Sequence, residues 1–230
     1  MTQLVAFDLD GTLLDTAQDF FLSVNILRSR HGIEEASFSE VRSRVSEGAN
    51  SLASYAMSIN MQVELKKGDL KDRISLPNTK LEPYRLELLD IYKEYSLNRT
   101  TLFEGMGWVL ASLNKQKICW GIVTNKPKFF ANDIVEATLS AYKPAFLICP
   151  DDTGKRKPEP DGLILACKKS NTNPKESFYI GDHSVDIIAG KTAGMKTIAA
   201  AYGYVPLGEK VEDWKADYIV SSPQEIVHLV

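Results

Sequence analysis

The stretch Leu4-Val5-Ala6-Phe7-Asp8-Leu9-Asp10-Gly11-Thr12-Leu13-Leu14-Asp15 contains the features that decide the fold. Its first four residues are apolar and are typical of a buried strand, and Asp8 and Asp10 follow at the carboxyl end of that strand. Open α/β sheets bind their ligands at this end of their strands. Gly11 then lets the backbone turn sharply. The pattern predicts an α/β fold in which a carboxylate pair can hold a divalent cation and leave one oxygen free to attack an electrophile.

The composition favours chemistry on a small molecule. The chain has 230 residues, of which 44% are hydrophobic and 25% charged, with a formal net charge of -3. Because there is no broad basic field, we expect no nucleic acid partner. A metal ion is needed to offset the charge of an anionic substrate at an acidic site. We therefore expect a small phosphorylated metabolite as the partner, and a monomer or a homodimer.

Cysteine usage and hydropathy indicate the compartment. Cys119, Cys149 and Cys167 are widely spaced, odd in number and set among apolar neighbours, which predicts reduced thiols in the core. Asp8 and Asp10 interrupt the apolar run that a signal peptide needs, and no stretch approaches the roughly 20 apolar residues of a membrane span. These features predict a cytoplasmic protein without a membrane partner.

The chain divides into a helical insertion and an α/β core. Asp15 and Thr16 are placed to cap a helix that ends near Gly32, and residues 39–96 are amphipathic with helical spacing. The mixed charge run at residues 66–73 is typical of a solvated connection. Residues 16–97 are therefore predicted to form an all-helical cap domain, and residues 1–15 and 98–230 a three-layer core with a parallel sheet. Later strands of that sheet are predicted at residues 118–123, 146–149, 178–180, 197–200 and 218–220.

Asp8 and Asp10 are the candidate catalytic residues. Asp8 can attack phosphorus and form an aspartyl-phosphate that water later hydrolyses. Asp10 can protonate the leaving group as general acid and then deprotonate the water as general base. Alone, the motif also fits a turn or a calcium loop, although Gly11 comes too early for an EF-hand.

Two further motifs offer groups for a phosphoryl anion. Thr124 and Asn125 end a buried strand and can donate hydrogen bonds to phosphoryl oxygens; taken alone the pair favours a strand end followed by a turn, and its position at the carboxyl end of a strand favours the phosphoryl site. Lys157 precedes a proline that fixes the backbone, and it is the candidate electrostatic clamp on the transferring group. Its neighbours Lys155 and Arg156 are typical of a solvated loop.

A fourth motif, Gly181-Asp182-His183-Ser184-Val185-Asp186, follows another predicted strand. Asp182 is the candidate metal ligand, with a helix N-cap as the alternative. Asp186 is predicted to hold Lys157 or a metal-bound water from outside the ligand set. His183 has no second histidine or cysteine at metal spacing, so it is predicted to be a loop residue.

Together, the four motifs and their order resemble the haloacid dehalogenase superfamily, and in particular its phosphoglycolate phosphatase-like branch with a small helical cap. The resemblance implies a Rossmann-like core, one Mg²⁺ and hydrolysis of a small phosphate monoester, with 2-phosphoglycolate as one candidate. It also implies that Mg²⁺ is held by the carboxylates of Asp8 and Asp182 and the main-chain carbonyl of Asp10. In such enzymes the first cap loop, here Ser46-Glu47-Gly48-Ala49 with Glu47 and Gly48 as its candidate specificity residues, reaches toward the leaving group; a bend between two cap helices is the alternative.

Several related functions compete with this hypothesis. A dehalogenase is disfavoured because its chemistry does not retain an acidic residue at the place of Asp10. A phosphonate hydrolase needs a cap lysine, and Lys66 and Lys67 lie in charged, solvated surroundings. A sugar-phosphate mutase resembling beta-phosphoglucomutase stays open because it shares the aspartyl-phosphate, and so does a non-catalytic protein that binds a phosphate ligand.

Overall fold

A central parallel sheet organises this computed structural model, which describes residues 4–59 and 80–230. The six strands of the sheet are β1 (Leu4–Phe7), β4 (Cys119–Val123), β5 (Leu147–Ile148), β6 (Ser177–Gly181), β7 (Lys196–Ala200) and β8 (Tyr218–Val220). Their order across the sheet is β5-β4-β1-β6-β7-β8, and every neighbouring pair is parallel. The predicted α/β fold class is confirmed, and no end of a predicted strand differs from the observed one by more than one residue.

Strand β1 lies at the centre of the sheet and is buried on both faces. Leu4 and Ala6 pack in one hydrophobic cluster with α8 (Asp161–Ser170), whereas Val5 and Phe7 pack in another with α5 (Met106–Gln116). Side chains alternate between the faces of a strand, so two clusters on opposite sides require helices on both. The remaining helices of the core are α6 (Lys128–Leu139), α7 (Pro150–Thr153) and α9 (Ser184–Thr192).

The helical segment lies between two short strands. Strand β2 (Leu14–Asp15) pairs antiparallel with β3 (Thr101–Leu102). We propose that this pair marks the junction between the core and the cap predicted at residues 16–97. Helices α1 (Ala17–Arg30), α2 (Phe38–Arg42), α3 (Ala49–Ala56) and α4 (Glu82–Tyr95) lie between the two strands. The predicted charge run at residues 66–73, with Lys66 and Lys67, lies outside the described residues.

The buried side chains of Tyr204 and Asp19 fix the start of α1 and the connection between α4 and β3, respectively. Thr16 occupies the N-cap position, as predicted, but its side chain makes no capping bond. Instead, the Tyr204 hydroxyl accepts the N–H groups of Thr16 and Ala17, at 2.6 and 3.0 Å. The fully buried Asp19 carboxylate accepts the N–H groups of Leu97, Arg99 and Thr100.

Among the described helices, none is long and apolar enough to cross a bilayer.

Candidate active site

The candidate residues converge at the carboxyl edge of the sheet. Asp8 follows β1, Thr124 follows β4 and Asp182 follows β6, and β1 lies between the other two strands. Parallel strands end at the same edge, so the chain brings these side chains together from three distant segments. Lys157 joins them from the connection that leads into α8.

Three carboxylates meet within this edge. Asp8, Asp182 and Asp186 each place one oxygen within 4.8 Å of the others. Burial, opposed by Lys157 and reinforced by Asp186, raises the pKa of Asp8 to about 6. Burial, with the negative charges of Asp8 and Asp186, raises the pKa of Asp182 to about 8. The cluster therefore holds more negative charge than its protein surroundings offset, which is the environment that a cation stabilises.

Lys157 places its ammonium group against two carboxylates of this cluster. Its Nζ lies 2.7 Å from Asp186 Oδ1 and 2.9 Å from Asp8 Oδ1, and it donates a hydrogen bond of 2.9 Å to the Tyr179 hydroxyl. Burial lowers the pKa of Lys157, but the carboxylates of Asp186 and Asp8 outweigh it and the net shift is upward. Lys157 is therefore a fixed positive charge beside Asp8.

The donor set fits Mg²⁺. The contact between Lys157 and Asp8 Oδ1 has the distance of an ion pair but not the angles of a hydrogen bond. Among the described residues this buried oxygen has no hydrogen-bond donor. Both oxygens of Asp186, in contrast, accept hydrogen bonds, from Lys157 and from the His183 N–H. Hard carboxylate oxygens are the ligands that Mg²⁺ prefers, and Asp8 has one to offer.

Asp182 is held at the edge of the sheet by hydrogen bonds and by the close approach of the Gly11 backbone. Its Oδ1 accepts the Thr12 hydroxyl at 3.0 Å, and its Oδ2 accepts the Tyr204 N–H at 2.8 Å. A Cβ atom on Gly11 would lie 2.1 Å from Asp182 Oδ2, and Gly11 has φ +80°. Only glycine combines this positive φ with the missing side chain, so Gly11 permits the turn and makes room for the carboxylate.

The Asp10 side chain lies apart from the acidic cluster. Its Oδ1 accepts the Thr16 hydroxyl at 2.7 Å, and both of its oxygens lie 3.1 Å from the Lys126 ammonium. Lys126 is a site residue that sequence reasoning missed. Lys126 directly precedes Pro127, as Lys157 precedes Pro158, so a lysine before a proline is the sequence signal that could have found it.

Thr124 and Asn125 lie at the end of β4, and the structure gives their side chains local partners. Thr124 Oγ1 accepts the Lys126 N–H at 3.2 Å. The Asn125 amide donates to the Lys157 carbonyl at 3.1 Å and accepts the Lys157 N–H at 2.8 Å. The Asn125 side chain thus positions the backbone of Lys157, whose peptide bond to Pro158 is cis.

The loop predicted at residues 46–49 contacts the acidic cluster through its first residue, Ser46. The Ser46 hydroxyl donates to Asp182 Oδ2 at 2.9 Å. Glu47 is exposed and accepts a hydrogen bond from the Ser51 hydroxyl, and Gly48 has φ +91° at the N-cap of α3. Ser46 therefore connects the helical segment to the core site, and Glu47 faces solvent.

His183 lies at the N-terminus of α9. It is the N-cap residue, its Nδ1 accepts the Val185 N–H at 3.3 Å, and Asp186 Oδ2 accepts the His183 N–H at 3.0 Å. This reciprocal capping box orients Asp186 toward Lys157. The N-cap position of α9, which was the alternative role for Asp182, is therefore occupied by His183.

The fold and the site define a class of α/β protein whose parallel sheet carries an acidic site, with an aspartate at the end of the central strand. The chain matches the family model described as haloacid dehalogenase-like hydrolase over residues 5–200. It belongs to that family, as the motifs predicted.

Two known proteins similar to this chain are named phosphatases. The chain is 36% identical over 226 residues to N-acetylmuramic acid 6-phosphate phosphatase from Pseudomonas aeruginosa, a match that covers 98% of this chain and 93% of that protein. It is 31% identical over 222 residues to phosphoglycolate phosphatase from Xanthomonas campestris, covering 96% and 93%. These named relatives are phosphoric monoester hydrolases, which confirms the predicted enzyme class.

A solved structure shares the fold along nearly the whole chain. It is described as a predicted phosphoglycolate phosphatase from Haemophilus somnus, with a TM-score of 0.82 and 24% identity. The match covers 99% of this chain and 97% of that one. At this identity the likeness concerns the fold alone.

Proposed function

We propose that this chain is a Mg²⁺-dependent phosphatase that hydrolyses a small phosphate monoester through an aspartyl-phosphate on Asp8. The observation that carries the proposal is the meeting of Asp8, Asp182 and Lys157 at one edge of the sheet, with one Asp8 oxygen free of hydrogen-bond donors among the described residues. The phosphatase names of the relatives support the same reaction.

In the first step an Asp8 carboxylate oxygen attacks phosphorus, and the bond from phosphorus to the alcohol oxygen breaks. Lys157 stabilises the negative charge of the phosphoryl oxygens and reduces their repulsion by Asp8. Asp10 donates a proton to the departing alkoxide. The carboxylates of Asp8 and Asp182 and the main-chain carbonyl of Asp10 would hold Mg²⁺, which supplies further positive charge when bound.

In the second step water attacks the phosphorus of the aspartyl-phosphate. Asp10, now a carboxylate, takes the proton from that water, and the bond between phosphorus and the Asp8 oxygen breaks. Inorganic phosphate leaves and Asp8 returns to its carboxylate form. Ser46 supports closure of the helical segment over the site because its hydroxyl bonds Asp182 across the two parts.

We also propose a substrate class: phosphate monoesters whose alcohol part bears a carboxylate. N-acetylmuramic acid 6-phosphate and phosphoglycolate, named in the two relatives, share that feature. Arg42, on α2, is the candidate partner for such a carboxylate. Its guanidinium donates to the Tyr202 carbonyl at 3.0 Å and lies 4.9 Å from the centre of the Tyr204 ring, close to the loop that holds Asp182. Within residues 4–59 and 80–230 it has no carboxylate partner.

The decisive test is hydrolysis of matched substrates. N-acetylmuramic acid 6-phosphate should be hydrolysed with a kcat/KM at least about 10-fold above that of N-acetylglucosamine 6-phosphate, which lacks the lactyl carboxylate, because an unpaired site charge penalises the smaller substrate. Phosphoglycolate is assayed beside them. EDTA should abolish turnover, and Asp8→Asn should remove it while leaving the fold intact.

Each outcome separates the alternatives. Absence of turnover on every phosphate ester would favour the phosphate-binding hypothesis. Formation of an isomerised sugar phosphate in place of free phosphate would establish a mutase. Near-normal rates in Asp8→Asn would refute the nucleophile assignment, and equal rates on the two amino sugar phosphates would refute the substrate class alone.

A further inference from the structure

Lys126 is a buried cation that belongs to neither the acidic cluster nor the clamp formed by Lys157. Its side chain is 5% exposed, and its Nζ lies 3.1 Å from both oxygens of Asp10. The same Nζ donates to the Tyr92 hydroxyl at 3.0 Å. Burying an ammonium group is costly unless its surroundings compensate, so these contacts need an explanation.

The surroundings of Lys126 come from the helical segment. The rings of Phe20 on α1 and Tyr92 on α4 lie stacked, with centroids 4.0 Å apart. The Lys126 ammonium lies 5.0 Å from the Phe20 centroid and 4.7 Å from that of Tyr92. Such distances allow cation–π attraction, which strengthens when water is excluded. Lys126 therefore links the end of β4 in the core to two helices of the insertion.

The hydrogen bonds at Asp10 leave one of its oxygens less occupied than the other. Oδ1 accepts both the Thr16 hydroxyl, at 2.7 Å, and the Lys126 ammonium. Oδ2 accepts the Lys126 ammonium alone, among the residues that the structure describes. Because a carboxylate oxygen has two lone pairs, Oδ2 keeps one that can carry the transferred proton.

We propose that Lys126 is a positioning residue that couples the seating of the helical segment, through Tyr92, to the orientation of the Asp10 carboxyl group for proton transfer to the leaving group. The inference rests on the proposed phosphatase function. Asp8 binds phosphorus from the core side, so the alcohol oxygen leaves toward the helical segment. Lys126 and Thr16 hold Asp10 on that side, and contact with Tyr92 exists only when the two parts are in place.

The proposal predicts a dependence on the leaving group. An alkoxide needs a proton as its bond to phosphorus breaks, whereas p-nitrophenolate is a weak base and departs without one. Lys126→Met keeps the length of the side chain and removes its charge. We expect Lys126→Met to lower kcat for an alkyl phosphate at least about 10-fold more than kcat for p-nitrophenyl phosphate. Tyr92→Phe should change the ratio in the same direction by a smaller factor.

A double-variant cycle separates positioning from a structural role. If Lys126 acts through Asp10, Asp10→Asn should show the same leaving-group signature, and adding Lys126→Met to it should cause little further loss. Lys128→Met is the matched control, since Lys128 is two residues away and pairs with the carboxylate of Asp152 outside the site. It should leave both rates at the wild-type level.

The outcomes are distinct. Equal loss on the two substrates, or losses that multiply in the double variant, would overturn the positioning role. If Lys126→Met does not fold, an unchanged substrate ratio in Tyr92→Phe would overturn it instead. A wild-type protein that hydrolyses neither substrate would refute the proposed function itself, which keeps the two failures distinguishable.

Discussion

Raising the pH should destabilise the metal-free protein, and Mg²⁺ should reverse that loss. The pKa of Asp182 is about 8 in the folded state, against an ordinary value of 3.8. Between these values the folded chain holds a proton that the unfolded chain has released, so stability falls as pH rises and levels off above about pH 8. One carboxyl group that is protonated in the folded state and ionised in the unfolded state lowers the free energy of unfolding by up to about 1.4 kcal/mol for each pH unit.

The expected change is large enough to measure by thermal unfolding. From about pH 5.5 to about pH 7.5, Asp182 alone accounts for up to about 3 kcal/mol, which corresponds to a fall of roughly 5–10 °C in Tm for a chain of this size. Asp8 acts in the same direction up to its pKa of about 6. Excess Mg²⁺ should raise Tm more at the higher pH, since it binds the ionised carboxylates.

Asp182→Asn provides the matched variant. With its oxygen in the place of Oδ2, the amide accepts the hydrogen bonds of Ser46 and the Tyr204 N–H, and its NH2 group donates to the Thr12 hydroxyl. The amide cannot ionise. The variant should lose most of the pH slope and most of the Mg²⁺ stabilisation, whereas Asp213→Asn, at an exposed position, should keep both. A metal-free Tm that stays constant or rises over this pH range, or an Asp182→Asn protein with the wild-type slope, would refute the reasoning.

Two further substitutions test the supports of the site. Asp19→Ala removes the acceptor of three backbone N–H groups and the Thr100 hydroxyl. Urea unfolding should therefore show a free energy of unfolding lower by about 3 kcal/mol. A decrease below about 1 kcal/mol would contradict the anchoring role. Gly11→Ala places a methyl group against Asp182 at a positive φ, and calorimetry should show Mg²⁺ affinity lowered by at least about 10-fold. Gly208→Ala is the control for the φ strain alone, because Gly208 has φ +83° and a Cβ atom added there would meet no atom within 4 Å. Equal Mg²⁺ affinity in the two variants would exclude the clash.

Several parts of this arrangement could be read directly from the order of residues. Apolar runs of strand length, each followed by a polar or acidic residue, predicted the parallel sheet and the positions of Asp8, Thr124 and Asp182 at its edge. This prediction works because a parallel sheet aligns the carboxyl ends of its strands, so position along each strand is enough to place the residue that follows. Lys157 was found by its own sequence context, directly before a proline.

Other parts depended on packing between distant segments. Asn125 holds the backbone of Lys157, Ser46 contacts Asp182, and Asp10 pairs with Lys126. In sequence, Lys126 and Lys128 stand on either side of one proline, yet of the two it is Lys126 whose ammonium lies beside the stacked rings of Phe20 and Tyr92. Strand periodicity tells which side of an element a residue occupies, whereas the partner of a charged group is set by which segments bury it and exclude water. That choice exists only once the helical segment has packed against the sheet.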